Sequence, residues 1–179
     1  MLESERSPHS RFIESPLLSG VEEASRLAIF RALIPVTAAT GFALLEQGKA
    51  NDRLWFVLGG EVAIERTGPD GKADVLATLS GPAIYGTTTF FRGTALSATI
   101  RASNDLTVGT LDRRTHERLR RDDPRAAEEL ALSVVRVLSE RFDMLDARLS
   151  SLMADHDADH PRATEWSSFR ARLFEEPTL

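Results

Sequence analysis

Glycine recurs at Gly41, Gly48, Gly59, Gly60, Gly68, Gly71, Gly81, Gly86, Gly93 and Gly109, and the runs between these breaks are short and rich in Val, Ile, Thr, Leu and Phe. A stretch interrupted this often, from residue 36 to residue 112, cannot hold long helices, whereas strands joined by tight turns suit it. LWFVLGG followed by EVAIERT reads as two strands at a tight turn, GPDGK is a turn before the alternating DVLATLS, and ALSATIRAS with LTVGTLD makes a further pair. Short strands at a spacing of about eight to twelve residues predict a small β sandwich or barrel, not a three-layer α/β fold.

Helical signals flank this region. Residues 1–15 read as a loose, flexible arm, and in PLLSGVEEASRLAIFRALI the apolar residues Leu17, Leu18, Val21, Ala24, Leu27, Ala28 and Phe30 recur at helical spacing, with Ser19 as a cap and Pro35 as a stop. After Asp112, THERLRRDD reads as a short helix, and a long one follows with Pro124 in its first turn. The division expected is an arm at 1–15, a β domain with flanking helices at 16–123, a long helix at 124–153, and a polar linker with a short tail at 154–179.

The long helix carries Ala131, Val135, Leu138, Phe142, Leu145, Leu149 and Leu152 at alternating steps of four and three, one seam with a seven-residue repeat. Such a seam either meets a second copy in a left-handed helix pair or packs on its own domain. Because a small domain does not cover a helix of roughly 40 Å along its whole length, the distal half is expected to need a partner, and a homodimer follows.

Charge and composition remove several classes of function. The 179 residues, 42% hydrophobic and 27% charged, suit one domain with an extension, and the net charge of -5 offers no global attraction to nucleic acid or anionic lipid. There is no cysteine, hence no disulfide, thiolate metal site or thiol nucleophile. No apolar run approaches the roughly 20 residues of a membrane span, and the N-terminus is acidic and polar, so a cytoplasmic protein is expected. Asp155, His156, Asp157, Asp159 and His160 read as a polar linker; neither a metal site, a cofactor nor an enzyme is expected. Arg113, Arg114, Arg118, Arg120 and Arg121 are interleaved with Asp112, Glu117, Asp122 and Asp123 and read as a solvated, ion-paired surface, with His116 a surface residue.

Taken in order, the phrases GFALLEQGKANDRLWFVLGGEVAIER, VLATLSGPAIYGTTTF and LSATIRASNDLTVGTLDRRTHERL, with SERF in the long helix, resemble the cyclic nucleotide-binding domain family over about residues 17 to 150. The resemblance implies a fold that is mainly β with flanking helices, a small double-stranded β-helix or jelly-roll barrel with a long C-terminal helix, and a regulatory role. It also implies a phosphate loop that opens with Gly-Glu and closes with Arg-Ser/Thr-Ala, the glutamate taking the ribose and the arginine the cyclic phosphate. Here the loop is GTTTFFRGTALSA: Gly86 matches the opening glycine, Thr87 stands for the glutamate, Leu96 for the arginine, and Ser97 with Ala98 match the close.

Losing the charge-assisted pair and the ribose contact weakens nucleotide binding on the order of 100- to 1000-fold. Two substitutes are available to the loop: Arg92 swinging inward, or hydroxyls of Thr87, Thr88 and Thr89 facing an anion. Alternatively Phe90, Phe91, Ala95, Leu96 and Ala98 make the pocket apolar, either for a different small ligand or filled by the phenylalanines themselves. About 25 residues follow Leu152, too few for the helix-turn-helix module of transcription factors in the family, so DNA binding by this chain alone is not expected. Trp166, Phe169, Leu173 and Phe174 form the apolar side of a short tail, which docks on its own domain or anchors a protein partner.

Overall fold

The computed structural model describes residues 7–156. Two compact units divide the chain, one up to Val135 and one from Arg136.

Strands β1 (Ile34–Ala38), β2 (Ala43–Leu45), β3 (Arg53–Gly59), β4 (Glu61–Thr67), β5 (Ala73–Ser80), β6 (Ala83–Tyr85), β7 (Thr99–Ala102) and β8 (Leu106–Asp112) build the first unit. They form two antiparallel four-stranded sheets, ordered β1-β8-β3-β6 and β2-β7-β4-β5. Between the sheets lies one apolar cluster that includes Leu44, Leu45, Trp55, Val57, Val62, Tyr85, Ile100, Leu106 and Val108. The barrel expected from the sequence is therefore a sandwich of two open sheets. The edge strands β1, β6, β2 and β5 pair within their own sheets, and among the described residues no ladder joins one sheet to the other.

Strand β3 is buried on both faces and so lacks the alternation of a half-exposed strand. Its inner residues Trp55 and Val57 enter the cluster, and Phe56 on the other face meets Phe12 at 5.7 Å between ring centroids. Phe12 belongs to α1 (Pro8–Ile13), capped by the Ser7 hydroxyl, and is 1% exposed. The loose arm expected at residues 1–15 thus contains, among its described residues, a helix held down by one buried ring. Helix α2 (Glu23–Ala32) begins later than expected: Ser19 ends a 3-10 turn at Pro16–Leu18, and Glu22 occupies the N-cap position.

Helix α3 (Thr87–Arg92) joins β6 to the rest of the loop, and α4 (Arg113–Asp122) follows β8 with Asp112 as its cap. Helix α5 (Pro124–His156) has 33 residues, about 50 Å of rise. Up to Val135 its buried stripe is Ala126, Ala127, Leu130 and Val134. The seam read from the sequence is a neighbouring stripe: Val135 is exposed, and in the second unit so are Leu138, Phe142 and Leu145, while Leu149 is half-buried. The side chain of Leu152 and the whole of Trp166, Phe169, Leu173 and Phe174 lie outside the described residues, as do Asp157, Asp159 and His160. No helix among the described residues is long and apolar enough to cross a membrane.

Candidate functional site: the loop at residues 86–98

The loop opens on Gly86, whose φ of 77° and whose surroundings both demand glycine: a Cβ there would sit 2.7 Å from Asn51 Nδ2 and 2.8 Å from the Arg53 carbonyl. The Gly86 carbonyl accepts the Phe90 N–H at 2.9 Å, starting α3, and Gly93 ends the helix in a left-handed cap. Asn51 holds this opening from below. Its Nδ2 donates to the Arg53 carbonyl at 2.7 Å and to Thr89 Oγ1 at 3.0 Å, and its Oδ1 accepts from the Trp55 indole at 3.4 Å and the Arg53 N–H at 3.3 Å. The Thr89 hydroxyl donates in turn to the Gly86 carbonyl at 3.0 Å.

These bonds decide what the three threonines can offer. Thr89 is buried and its hydroxyl serves the loop itself, Thr87 is buried, and Thr88 is exposed. Arg92 is exposed in the last turn of α3, beside Gly93, and Ser97 is exposed as well. In this conformation Arg92 does not border the cavity at Leu96, and the Thr89 hydroxyl is engaged within the loop.

Leu96, by contrast, points inward. It is half-buried and packs against the inter-sheet cluster, and its backbone is tied on both sides to the β2–β3 connection, Leu96 N–H to the Lys49 carbonyl at 2.9 Å and Gly48 N–H to the Leu96 carbonyl at 2.8 Å. A cavity of about 170 Å³ remains next to it, bordered by Leu44, Leu45, Trp55 and the 46–53 segment. That is well below the roughly 300 to 1,000 Å³ of ordinary small-molecule sites. The cations on its border already face carboxylates: Lys49 meets Glu46 at 2.7 Å and Arg53 meets Asp52 at 2.9 Å. Arg53 also lies over the Trp55 ring.

Of the five apolar residues expected to gather around a pocket, Leu96 alone lines this cavity. Phe90 and Phe91 turn the other way, toward α4, where Phe90 meets His116 edge-on at 5.4 Å and lies under the Arg113 guanidinium. Arg113 also donates to the Phe90 carbonyl. His116 is half-buried, not superficial as expected, and burial holds its imidazole below the usual histidine range. In the arginine cluster, Arg120 pairs with Glu117 at 3.1 Å, while Arg114, Arg118 and Arg121 are exposed. Asp112 accepts the Thr115 N–H at 2.7 Å as the α4 cap, and that bond holds its carboxyl below the usual range. Sequence reading missed Asn51, which organises the loop from 35 residues away; a lone asparagine before a strand carries no distinguishing pattern.

The sequence profile of the family described as "Cyclic nucleotide-binding domain" matches residues 35–123. The sandwich of this chain belongs to that family. At 27% identity over 138 residues, the chain is similar to the CRP-like cAMP-activated global transcriptional regulator of Mycobacterium tuberculosis; the match covers 76% of this chain and 59% of that protein. It is also 31% identical over 140 residues to Glutaminase 1 of Bradyrhizobium diazoefficiens, covering 78% of this chain and 22% of the glutaminase. Among solved structures, a cyclic nucleotide-binding domain from Methylobacillus flagellatus superposes with a TM-score of 0.71 at 19% identity, covering 80% of this chain and 83% of the other. The chain thus spans little more than half of the regulator it matches.

Proposed function

We propose that this protein is a non-catalytic, cytoplasmic regulatory or scaffolding module that no longer reads cAMP or cGMP and works through protein contacts as a homodimer. The observation that carries this reading is Leu96. An apolar side chain, packed on the inter-sheet cluster, occupies the position at which the family resemblance calls for an arginine, and the cations bordering the residual cavity are already engaged. A cyclic phosphate placed there would be desolvated without a counter-charge. Titration calorimetry with cAMP and cGMP tests it: no binding tighter than about 1 mM is expected, and a dissociation constant below about 10 μM overturns the proposal.

The second part rests on the exposed apolar stripe Val135, Leu138, Phe142 and Leu145. Four large apolar side chains in one row along a helix are the pattern of a seam that meets a second copy. By light scattering the wild type is expected as a dimer and Leu145→Glu as a monomer; monomers for both sink this assignment. A competing reading, a sensor that couples a small ligand in the 86–98 loop to α5, draws support from the similarity to a cAMP-activated regulator. Saturable nucleotide binding in the same calorimetry is the result that favours it.

A further inference from the structure

A second, larger concavity, about 570 Å³, lies outside the sandwich, between α3, α4 and the first turns of α5, in residues that all precede Val135. Its volume falls within the range of small-molecule sites. The rings of Phe90, Phe91 and His116 stand at nearly right angles to one another, with interplanar angles of 85°, 88° and 88°; Phe90 is buried and backs the corner, so the ring surface open to the groove is that of Phe91 and the half-buried His116. Phe91 is 47% exposed, although it sits beside two rings that could cover it. Ala127, which is buried, and the half-buried Ala131 also line the groove, and their short side chains leave it unfilled on the α5 side.

The charges around this corner are unevenly satisfied. Arg120 and Glu117 neutralise each other. Arg113 lies over Phe90 and donates to its carbonyl, yet its guanidinium has no carboxylate partner among the described residues. Glu128, also lining the groove, makes no ion pair among them. The groove therefore offers an aromatic corner, one cation and one anion. A simple aromatic acid would meet Glu128 unfavourably and a simple aromatic amine would meet Arg113 so; a molecule carrying both charges satisfies both.

We propose that this groove binds a small zwitterionic aromatic molecule of the aromatic amino acid class, with its ring in the Phe90–Phe91–His116 corner, its carboxylate on Arg113 and its ammonium on Glu128. Burial lowers the pKa of the His116 imidazole and so disfavours a competing positive charge on the third wall. The site shares α3 with the nucleotide loop but no lining residue with the cavity at Leu96, so it stands or falls independently of the proposal above.

The test uses the full chain, titrated with L-phenylalanine and L-tryptophan and followed by amide NMR shifts, with phenylacetate and phenethylamine as the two half-ligands. The amino acids are expected to give saturable shifts at Phe91, His116 and Ala131 and to bind at least roughly 10-fold more tightly than either half-ligand. Glu128→Gln, at an exposed and unpaired position, is expected to weaken binding by roughly 10-fold while leaving the melting temperature unchanged. Phe91→Ala should remove the shifts. Absence of saturable shifts at those amides, equal binding of a half-ligand, or unaltered binding by Glu128→Gln overturns the proposal.

Discussion

The two ends of the 86–98 loop differ in kind. Its first half is a rigid scaffold: Gly86 in its left-handed conformation, Thr89 bonded back to it, and Asn51 bridging both to β3. Its second half, from Gly93 to Ala98, is mostly exposed, and Leu96 is its inward anchor. The bonds that shape this loop and the side chains at positions 87 and 96 are different groups, so one set can change without the other. Internal bonds set the shape, and on the reading proposed above specificity is carried by Thr87 and Leu96.

Placing the family's two side chains into this frame tests that division. The doubly substituted Thr87→Glu, Leu96→Arg protein is expected to bind cAMP on the order of 100- to 1000-fold more tightly than the wild type by calorimetry. No gain would mean that the frame itself has changed. The reverse experiment attacks the scaffold. Asn51→Ala leaves the half-buried Arg53 carbonyl and Thr89 hydroxyl without their donor and should cost about 2 kcal/mol in urea unfolding, with no effect on nucleotide binding.

A smaller effect sharpens the contrast at the far end of β8. Asp112→Ala removes the α4 cap and should cost about 1 kcal/mol. Since the folded carboxyl is held below its usual range, the stabilisation is fully present above the unfolded-state value of about 3.9 and is lost as the pH falls through the folded value. The difference between wild type and Asp112→Ala, measured by melts from pH 7 downward, should therefore narrow below about pH 4.

Much of the fold could be read from local pattern. The β3–β4 turn at Gly59 and Gly60, the β4–β5 turn through Gly68 and Gly71, and the start of α5 at Pro124 each depend on residues adjacent in sequence. The bounds of the loop helix are local in the same way, since Gly86 and Gly93 frame it. What escaped depends on distant partners. Phe12 sits in a polar segment without periodicity, and its role exists only because Phe30 and Phe56 meet it. Whether eight strands close into a barrel or stay as two sheets is set by edge pairing far apart in the chain. The aromatic corner was missed because Phe90 and Phe91 read equally well as facing the sandwich interior, and a helix 23 residues later gives them another surface to pack against.

Trp55 borders the cavity beside Leu96, with its indole N–H on Asn51. The protein therefore carries an optical gauge at its most informative point: with Trp166 replaced by phenylalanine, the emission of the remaining indole registers whether the neighbouring leucine is seated or withdrawn. Any molecule or partner that lifts that side chain would announce itself in light, without a label.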